Sequence, residues 1–125
     1  MKPRDTALRL RRFEASEKAR KVASIETMIL DFEHMASDLA RQISAEEERT
    51  GVRDPAHFAY STFAKAAALR RANLLTSVAD LRSKLEAARQ EHEYAVVELR
   101  KLEPTDSRDA DRHLRKTDTS SHVIG

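Results

Sequence analysis

The sequence predicts an all-α fold in which two long helices form an antiparallel coiled-coil hairpin, followed by a disordered C-terminal tail. In each half of the chain, apolar or small residues recur at alternating spacings of four and three, which is typical of a left-handed coiled-coil seam. The two seams coincide in phase when the chain is folded about the junction of Gly51 and Val52. Gly51 is also the only glycine before the C-terminal residue. One turn between two helices therefore accounts for the whole pattern.

Each predicted seam consists of residues from one half of the chain. In the first half they are Leu8, Ala15, Val22, Ile25, Ile29, Phe32, Ala36, Leu39 and Ile43. In the second half they are Tyr60, Ala64, Ala67, Leu74, Val78, Leu81, Leu85, Ala88, Ala95, Leu99 and Leu102. Folding at the junction pairs residues whose numbers add to 103, so that Ile29 faces Leu74.

Turn chemistry gives the inner boundaries of the helices. Gly51 supplies the left-handed residue that a helix C-terminus favours. Asp54 and Pro55 fit an N-cap and a first helical residue. The expected elements are a helix over about 5–49, a turn at 50–54 and a helix over about 55–103. At 1.5 Å per residue, each helix is about 70 Å long.

The composition changes at Pro104. Residues 1–103 form the predicted hairpin domain, whereas 104–125 are rich in Thr, Ser, Asp and Arg and hold few large apolar side chains. Such a segment cannot bury enough surface to offset the entropy lost on ordering. We therefore expect a disordered polar tail over 104–125.

Charge is segregated along the chain, although the formal net charge is only +2. Residues 1–25 carry eight Lys/Arg against three Asp/Glu, and residues 26–50 carry two against seven. Residues 51–75 carry four against one. In the hairpin we expect Asp31, Glu33 and Asp38 beside Lys65, Arg70 and Arg71, and the basic N-terminal arm beside Glu86, Glu91, Glu93 and Glu98. Such complementarity favours the antiparallel register over slipped ones.

The sequence offers no pattern for catalysis, a cofactor or a metal. It has no cysteine and no phosphate-loop, dinucleotide or nucleophile-elbow motif, and no two of its five histidines stand at the i, i+4 spacing of a helical metal site. We expect no enzymatic activity, no cofactor and no metal site. His57 and His92 fall on the seams, where we expect polar layers that fix the register.

Two functional classes remain open on the residues alone. One is a cytoplasmic coiled-coil adaptor or chaperone, since no stretch approaches the roughly 18 apolar residues of a spanning helix. The other is a nucleic-acid or anionic-membrane binder that uses the basic arm. The residues of that arm are Arg9, Arg11, Arg12, Lys18, Arg20 and Lys21. Glu14 and Glu17 interrupt it and the opposing arm is acidic, so we favour a paired, solvated face and expect no nucleic-acid partner.

Apolar residues outside the seams indicate partner binding. The candidates at the open end of the hairpin are Leu10, Phe13, Tyr94 and Val97. Phe58 and Phe63 stand with Tyr60 at the tip, as its aromatic cluster. A hairpin has no reason of its own to expose such side chains, so we expect them to contact another protein.

The chain also resembles the alphaproteobacterial form of the flagellar export protein FliJ family. The likeness covers residues 1 to about 103 and includes LRLRRFEASEKARKVASIETMILDFEHMASDLARQI and ALRRANLLTSVADLRSKLEAA. Its most specific piece is the hairpin tip, RTGVRDPAHFAYSTFAKAA. The tail after Pro104 has no counterpart in the resemblance.

The resemblance implies a cytoplasmic, non-enzymatic component of the flagellar type III export apparatus. Proteins of this family form an antiparallel coiled coil similar to the stalk subunit of rotary ATPases. The resemblance implies docking in the hexameric export ATPase, contact with the cytoplasmic domain of the export gate and handling of export chaperones. It therefore implies peripheral association with the inner membrane through the apparatus, and it assigns no partner contact to an individual residue.

Overall fold

A computed structural model describes residues 2–103. Helix α1 spans Pro3–Thr50 and helix α2 spans Thr62–Leu102, and residues 2–103 contain no strand. The two helices pack against each other, which confirms the predicted helical hairpin. The predicted tail, 104–125, lies outside the described residues.

The hairpin divides into two compact units. Among the described residues, the first unit, here called the terminal unit, combines residues 2–20 with residues 89–103. The second, the tip unit, is Lys21–Ala88 and includes the connection between the helices.

The core of the tip unit lies on the predicted seams. Its central cluster consists of Ile25, Ile29, Val78, Leu85 and Ala88, with the half-buried Val22, Phe32 and Leu81 packed against it. Nearer the connection, the seam continues through Ala36, Leu39, Tyr60, Ala64 and Ala67, all buried. Burying apolar side chains along a single seam is the main source of stability available to such a helix pair.

The terminal unit continues the same pattern. Leu8 and Ala15 of α1 and Ala95 of α2 are buried. His92 is half-buried at its predicted seam position. Every buried apolar side chain among residues 2–103 belongs to one of the two predicted seams.

The predicted register is wrong by about one heptad. In the tip unit, Arg82 donates to Glu33 at 3.0 Å and Tyr60 donates to Glu47 at 2.8 Å, pairs whose numbers add to 115 and 107. In the terminal unit, Lys18 pairs with Glu91 at 3.0 Å, and these numbers add to 109. The partners therefore centre near 110 rather than 103. A shift of one heptad returns each seam residue to the same face, so the buried set is unchanged while its partners differ.

The longer connection accounts for this shift. Helix α2 begins at Thr62, not near residue 55. Asp54 and Pro55 start a single turn, in which Asp54 accepts hydrogen bonds from the backbone of Ala56 at 2.9 Å and His57 at 3.0 Å. The N-cap of α2 is Ser61, whose Oγ accepts a bond from the backbone N–H of Ala64 at 3.2 Å.

The predicted charge pairs are corrected in the tip unit and supported in the terminal unit. Glu33 pairs with Arg82 instead of a residue of the 65–71 group, and Asp38 pairs with Arg41 of its own helix. Glu91 does lie beside the basic arm, through Lys18. Because the register is shifted, the acidic stretch of α1 no longer lies beside the basic residues that were predicted from pairing residues whose numbers add to 103.

Gly51 is the position at which the backbone itself constrains the residue. Its φ is +76°, and a Cβ placed there would meet no atom within 4 Å. We expect Gly51→Ala to destabilise the hairpin by about 1 kcal/mol, because only the left-handed conformation opposes the new methyl group. The midpoint of a thermal melt followed by circular dichroism should fall by about 4 °C.

Gly51→Asn is the matched control, since asparagine adopts this conformation more readily than alanine. Its melting temperature should lie between those of the parent and Gly51→Ala. Equal melting of the parent and the alanine variant would contradict a strained position.

Candidate partner-binding surfaces

The terminal unit exposes the four apolar side chains that the sequence singled out there. They are Leu10, Phe13, Tyr94 and Val97. On α1, Leu10 and Phe13 lie three residues apart on the side opposite the buried Leu8 and Ala15. The first pair therefore points away from α2.

The second pair lies on the other helix of the unit. Tyr94 and Val97 are exposed on α2. Val97 lies on the side opposite the buried Ala95, whereas Tyr94 directly precedes Ala95 and lies about 100° around the helix from it. The structure thus places two separate apolar pairs on the outer faces of the two helices of this unit.

Ion pairs neutralise much of the basic arm in the terminal unit. Arg11 pairs with Glu14 at 3.1 Å, and Arg20 pairs with Glu17 at 3.3 Å. Arg12 pairs at 3.3 Å with Glu103, the residue that follows α2. Across the seam, Lys18 meets Glu91 at 3.0 Å. Phosphate binding needs cations without such neighbours, so this arrangement weakens the nucleic-acid interpretation.

The same unit carries a further ion pair near the end of α2. Lys101 donates to Glu98 at 2.8 Å, and this bond is the main reason that the pKa of Glu98 is lowered. The pKa of Lys101 is raised, chiefly by the same bond. Both groups remain charged near neutral pH, next to the exposed Tyr94–Val97 pair.

The tip presents one phenylalanine almost completely to solvent. Phe58 is 96% exposed and stacks on His57, with ring centroids 4.7 Å apart and an interplanar angle of 24°. His57 was predicted on the seam, but it lies in the connection and is exposed. Its Nδ1 accepts a hydrogen bond from the backbone of Ala59 at 3.0 Å, so it shapes the loop instead of forming a polar layer.

The three aromatic residues of the tip do not share one surface. Tyr60 is buried on the seam, whereas Phe58 and Phe63 are exposed. Only the two phenylalanines remain as candidates for contact with a partner in this part of the hairpin.

Two carboxylates at the end of α1 anchor the connection. Glu47 accepts a hydrogen bond from the Tyr60 hydroxyl at 2.8 Å, and Glu46 accepts one from the Ser61 hydroxyl at 3.1 Å. Arg49 also binds Glu46, and this bond is the largest cause of the lowered pKa of Glu46, ahead of the bond from Ser61. The loop that carries Phe58 is therefore fixed at its α2 end by two adjacent residues of α1.

The roles of Glu46, Glu47 and Ser61 as tip anchors were not predicted from the sequence. A signal for Ser61 was present, since serine before a helical segment is a strong N-cap. Nothing comparable marked the two glutamates, because their role depends on where the loop returns to α1.

The Tyr60–Glu47 bond predicts a shifted tyrosine titration. The pKa of Tyr60 is raised, first because its hydroxyl donates to Glu47 and then by burial. Stability from this bond is present below the ordinary tyrosine pKa of about 10 and is lost as the pH rises through the higher folded value.

Absorbance near 295 nm measures this effect directly. Tyr94→Phe leaves Tyr60 as the only tyrosine of the chain, so its ionisation can be followed alone. Adding Glu47→Gln should move that titration to lower pH, because the neutral amide no longer opposes the phenolate. An unchanged titration would show that the bond does not form in solution.

The fold defines a helical-hairpin protein with exposed apolar residues in each unit. Comparisons of the chain with protein-family models, with curated proteins and with solved structures find no match. Over residues 2–103, neither helix contains a stretch long and apolar enough to cross a membrane.

Proposed function

We propose that this protein is a non-enzymatic stalk and adaptor of the flagellar type III protein export apparatus. Its terminal unit docks in the ring of the hexameric export ATPase. The hairpin also links that ring to the cytoplasmic domain of the export gate and to export chaperones. On this proposal the protein is cytoplasmic and is held at the inner membrane only through the apparatus.

The observation that carries the proposal is the pair of apolar surfaces on the outer faces of the terminal unit. A helix pair inserted in the centre of a ring meets protein on both outer faces at once. Leu10 and Phe13 supply one such contact and Tyr94 and Val97 supply the other. Apolar and aromatic anchors of this kind dominate the energy of protein interfaces.

The family resemblance supports the same proposed function, and its most informative residues lie at the tip of the hairpin. Its most specific segment spans residues 49–67, which contain the anchored connection and the first turn of α2. The antiparallel helix pair is also the architecture that the resemblance implies.

A central stalk can couple the ring to the gate by differential contact. If successive ATPase subunits bind the terminal unit with different affinity in different nucleotide states, the stalk shifts the ring between those states. By reciprocity, the nucleotide state shifts the binding of the stalk.

The test is ATP hydrolysis by the purified export ATPase with and without the full chain, together with swimming in soft agar after deletion of the gene. We expect stimulation of hydrolysis and loss of swimming. A generic coiled-coil adaptor of another complex would leave both unchanged, and that result would overturn the proposal. An export-ATPase gene adjacent to this one would support it independently.

A further inference from the structure

The two flanks of the seam in the tip unit differ in chemistry. On one flank, each residue directly follows a half-buried seam residue, and Arg82 there donates to Glu33 across the helices at 3.0 Å. On the other flank, Met28, Met35 and Phe63 directly precede the buried Ile29, Ala36 and Ala64. Met28, Met35 and Phe63 occupy this second flank, here called the methionine flank. In an antiparallel helix pair, the residues of one flank lie on the same side of the seam.

The apolar side chains of the methionine flank are open to solvent. Met35 is 48% exposed and Phe63 is 55% exposed, and the half-buried Phe32 lies between Met28 and Met35 along α1. Methionines are flexible and polarizable, so they fit well against a second apolar surface. A helix pair with one seam gains most by burying such a flank in a larger bundle.

The methionine flank also carries a cation without a partner. Arg70 stands one heptad after Phe63 and so belongs to the same row, although the residue that follows it, Arg71, is exposed. Among residues 2–103, Arg70 makes no ion pair or hydrogen bond. The charge pattern around it is uneven, because residues 26–50 have a net charge of −5 and residues 51–75 have a net charge of +3.

We propose that the methionine flank is a homodimer interface, in which a second copy of this chain packs flank to flank to form a four-helix bundle. A two-fold axis parallel to the helices sets the acidic part of α1 of one copy over the basic part of α2 of the other. A two-fold axis perpendicular to the helices would instead stack like charge on like charge. Charge complementarity therefore favours a second copy of this chain as the partner, related by the two-fold axis parallel to the helices.

The register identifies the ion pair of this dimer. An axis parallel to the helices preserves the level of each residue along them. Because interhelix partners in the tip unit have numbers that centre near 110, Arg70 lies level with residue 40 of α1. That level is two residues from Asp38, whose ion pair among residues 2–103 is with Arg41 of its own helix. Arg70 of one copy thus meets Asp38 of the other.

The dimensions of the flank predict a weak dimer. Residues 28–42 cover about 20 Å at 1.5 Å per residue, and two helices are about 20 Å wide, which gives about 400 Å² per copy. A standard stable interface buries roughly 800 Å² per partner. We therefore expect a dissociation constant on the order of tens to hundreds of micromolar.

Sedimentation equilibrium of the full chain, from about 5 to 500 µM, measures the dimer. Met35→Glu should leave a monomer throughout this range. Arg70→Glu should weaken the dimer by at least about tenfold, and adding Asp38→Arg should restore the parent affinity to within about threefold. Leu69→Glu is the matched control, because Leu69 is 66% exposed on the outer face of α2 and should change nothing.

Circular dichroism of each variant establishes that the monomer is folded. A parent chain that stays monomeric at 500 µM would overturn the inference and leave the flank to another protein. A dimer that survives Met35→Glu, or that Leu69→Glu dissociates, would place the interface on another face. Failure of the charge swap to rescue Arg70→Glu would contradict the proposed two-fold axis. These outcomes do not depend on the proposed export function.

Discussion

Ile29→Asp should unfold the hairpin. Ile29 is 7% exposed and belongs to the central cluster of the tip unit, between Ile25 and Phe32 on α1. Truncating a buried isoleucine costs about 2–5 kcal/mol, and burying an unpaired carboxylate costs several more. Domains of this size have about 5–15 kcal/mol of total stability. A helix pair with a single seam has no second core to compensate.

Circular dichroism at 222 nm, recorded during heating, measures this loss. We expect the Ile29→Asp protein to have lost most of its helical signal at 37 °C. Leu30→Asp is the control, since Leu30 is the next residue and is 64% exposed. That variant should melt within a few degrees of the parent. Similar melting of the Ile29 variant and the parent would mean that the seam lies on a different face of α1.

The buried face of each helix could be predicted from the sequence because it depends only on periodicity. A 3/4 spacing fixes which side of a helix is apolar, and the side chains at Ile25, Ile29 and Val78 are buried as that spacing requires. The pairing of the two helices has a different basis. The seams repeat every seven residues, so the periodicity is the same for two registers that differ by one heptad. The length of the connection determines which register forms.

The connection was mispredicted because two start signals compete there. Asp54 with Pro55 and Ser61 with Thr62 both resemble the beginning of a helix. The first pair begins an isolated turn, while the second caps α2. The difference depends on the return of the chain to α1, where Glu46 and Glu47 bind Ser61 and Tyr60. Such tertiary bonds have no local sequence signature.

The sequence predicted which apolar residues are exposed, but it did not predict how these residues are arranged relative to each other. Outward heptad positions correctly identified Leu10, Phe13, Tyr94 and Val97 as exposed. Their division between the two helices of the terminal unit follows only when each pair is referred to the seam of its own helix. That division determines what kind of partner can use them. A partner that surrounds the terminal unit would touch both pairs.

Leu10→Asp combined with Phe13→Asp should abolish stimulation of the export ATPase and swimming, while leaving the helices intact. Both side chains are more than half exposed, at 54% and 62%, so the new carboxylates remain in water in the free protein. In the docked state they would have to enter an apolar contact, where an unpaired charge is costly. Loss of an interface anchor typically costs 2 kcal/mol or more, so two losses together should reduce affinity by at least about a thousandfold.

The measurement is ATP hydrolysis by the purified export ATPase with parent or variant chain, alongside swimming in soft agar. Leu30→Asp with Leu69→Asp is the matched control, because both residues are exposed leucines of the tip unit. Tyr94→Asp with Val97→Asp tests the exposed pair on α2 and should have a similar effect if the ring surrounds the terminal unit. Full stimulation and full swimming by the Leu10/Phe13 variant would exclude this face as the docking site. The exposed Phe58 and Phe63 of the tip would then be the next residues to test.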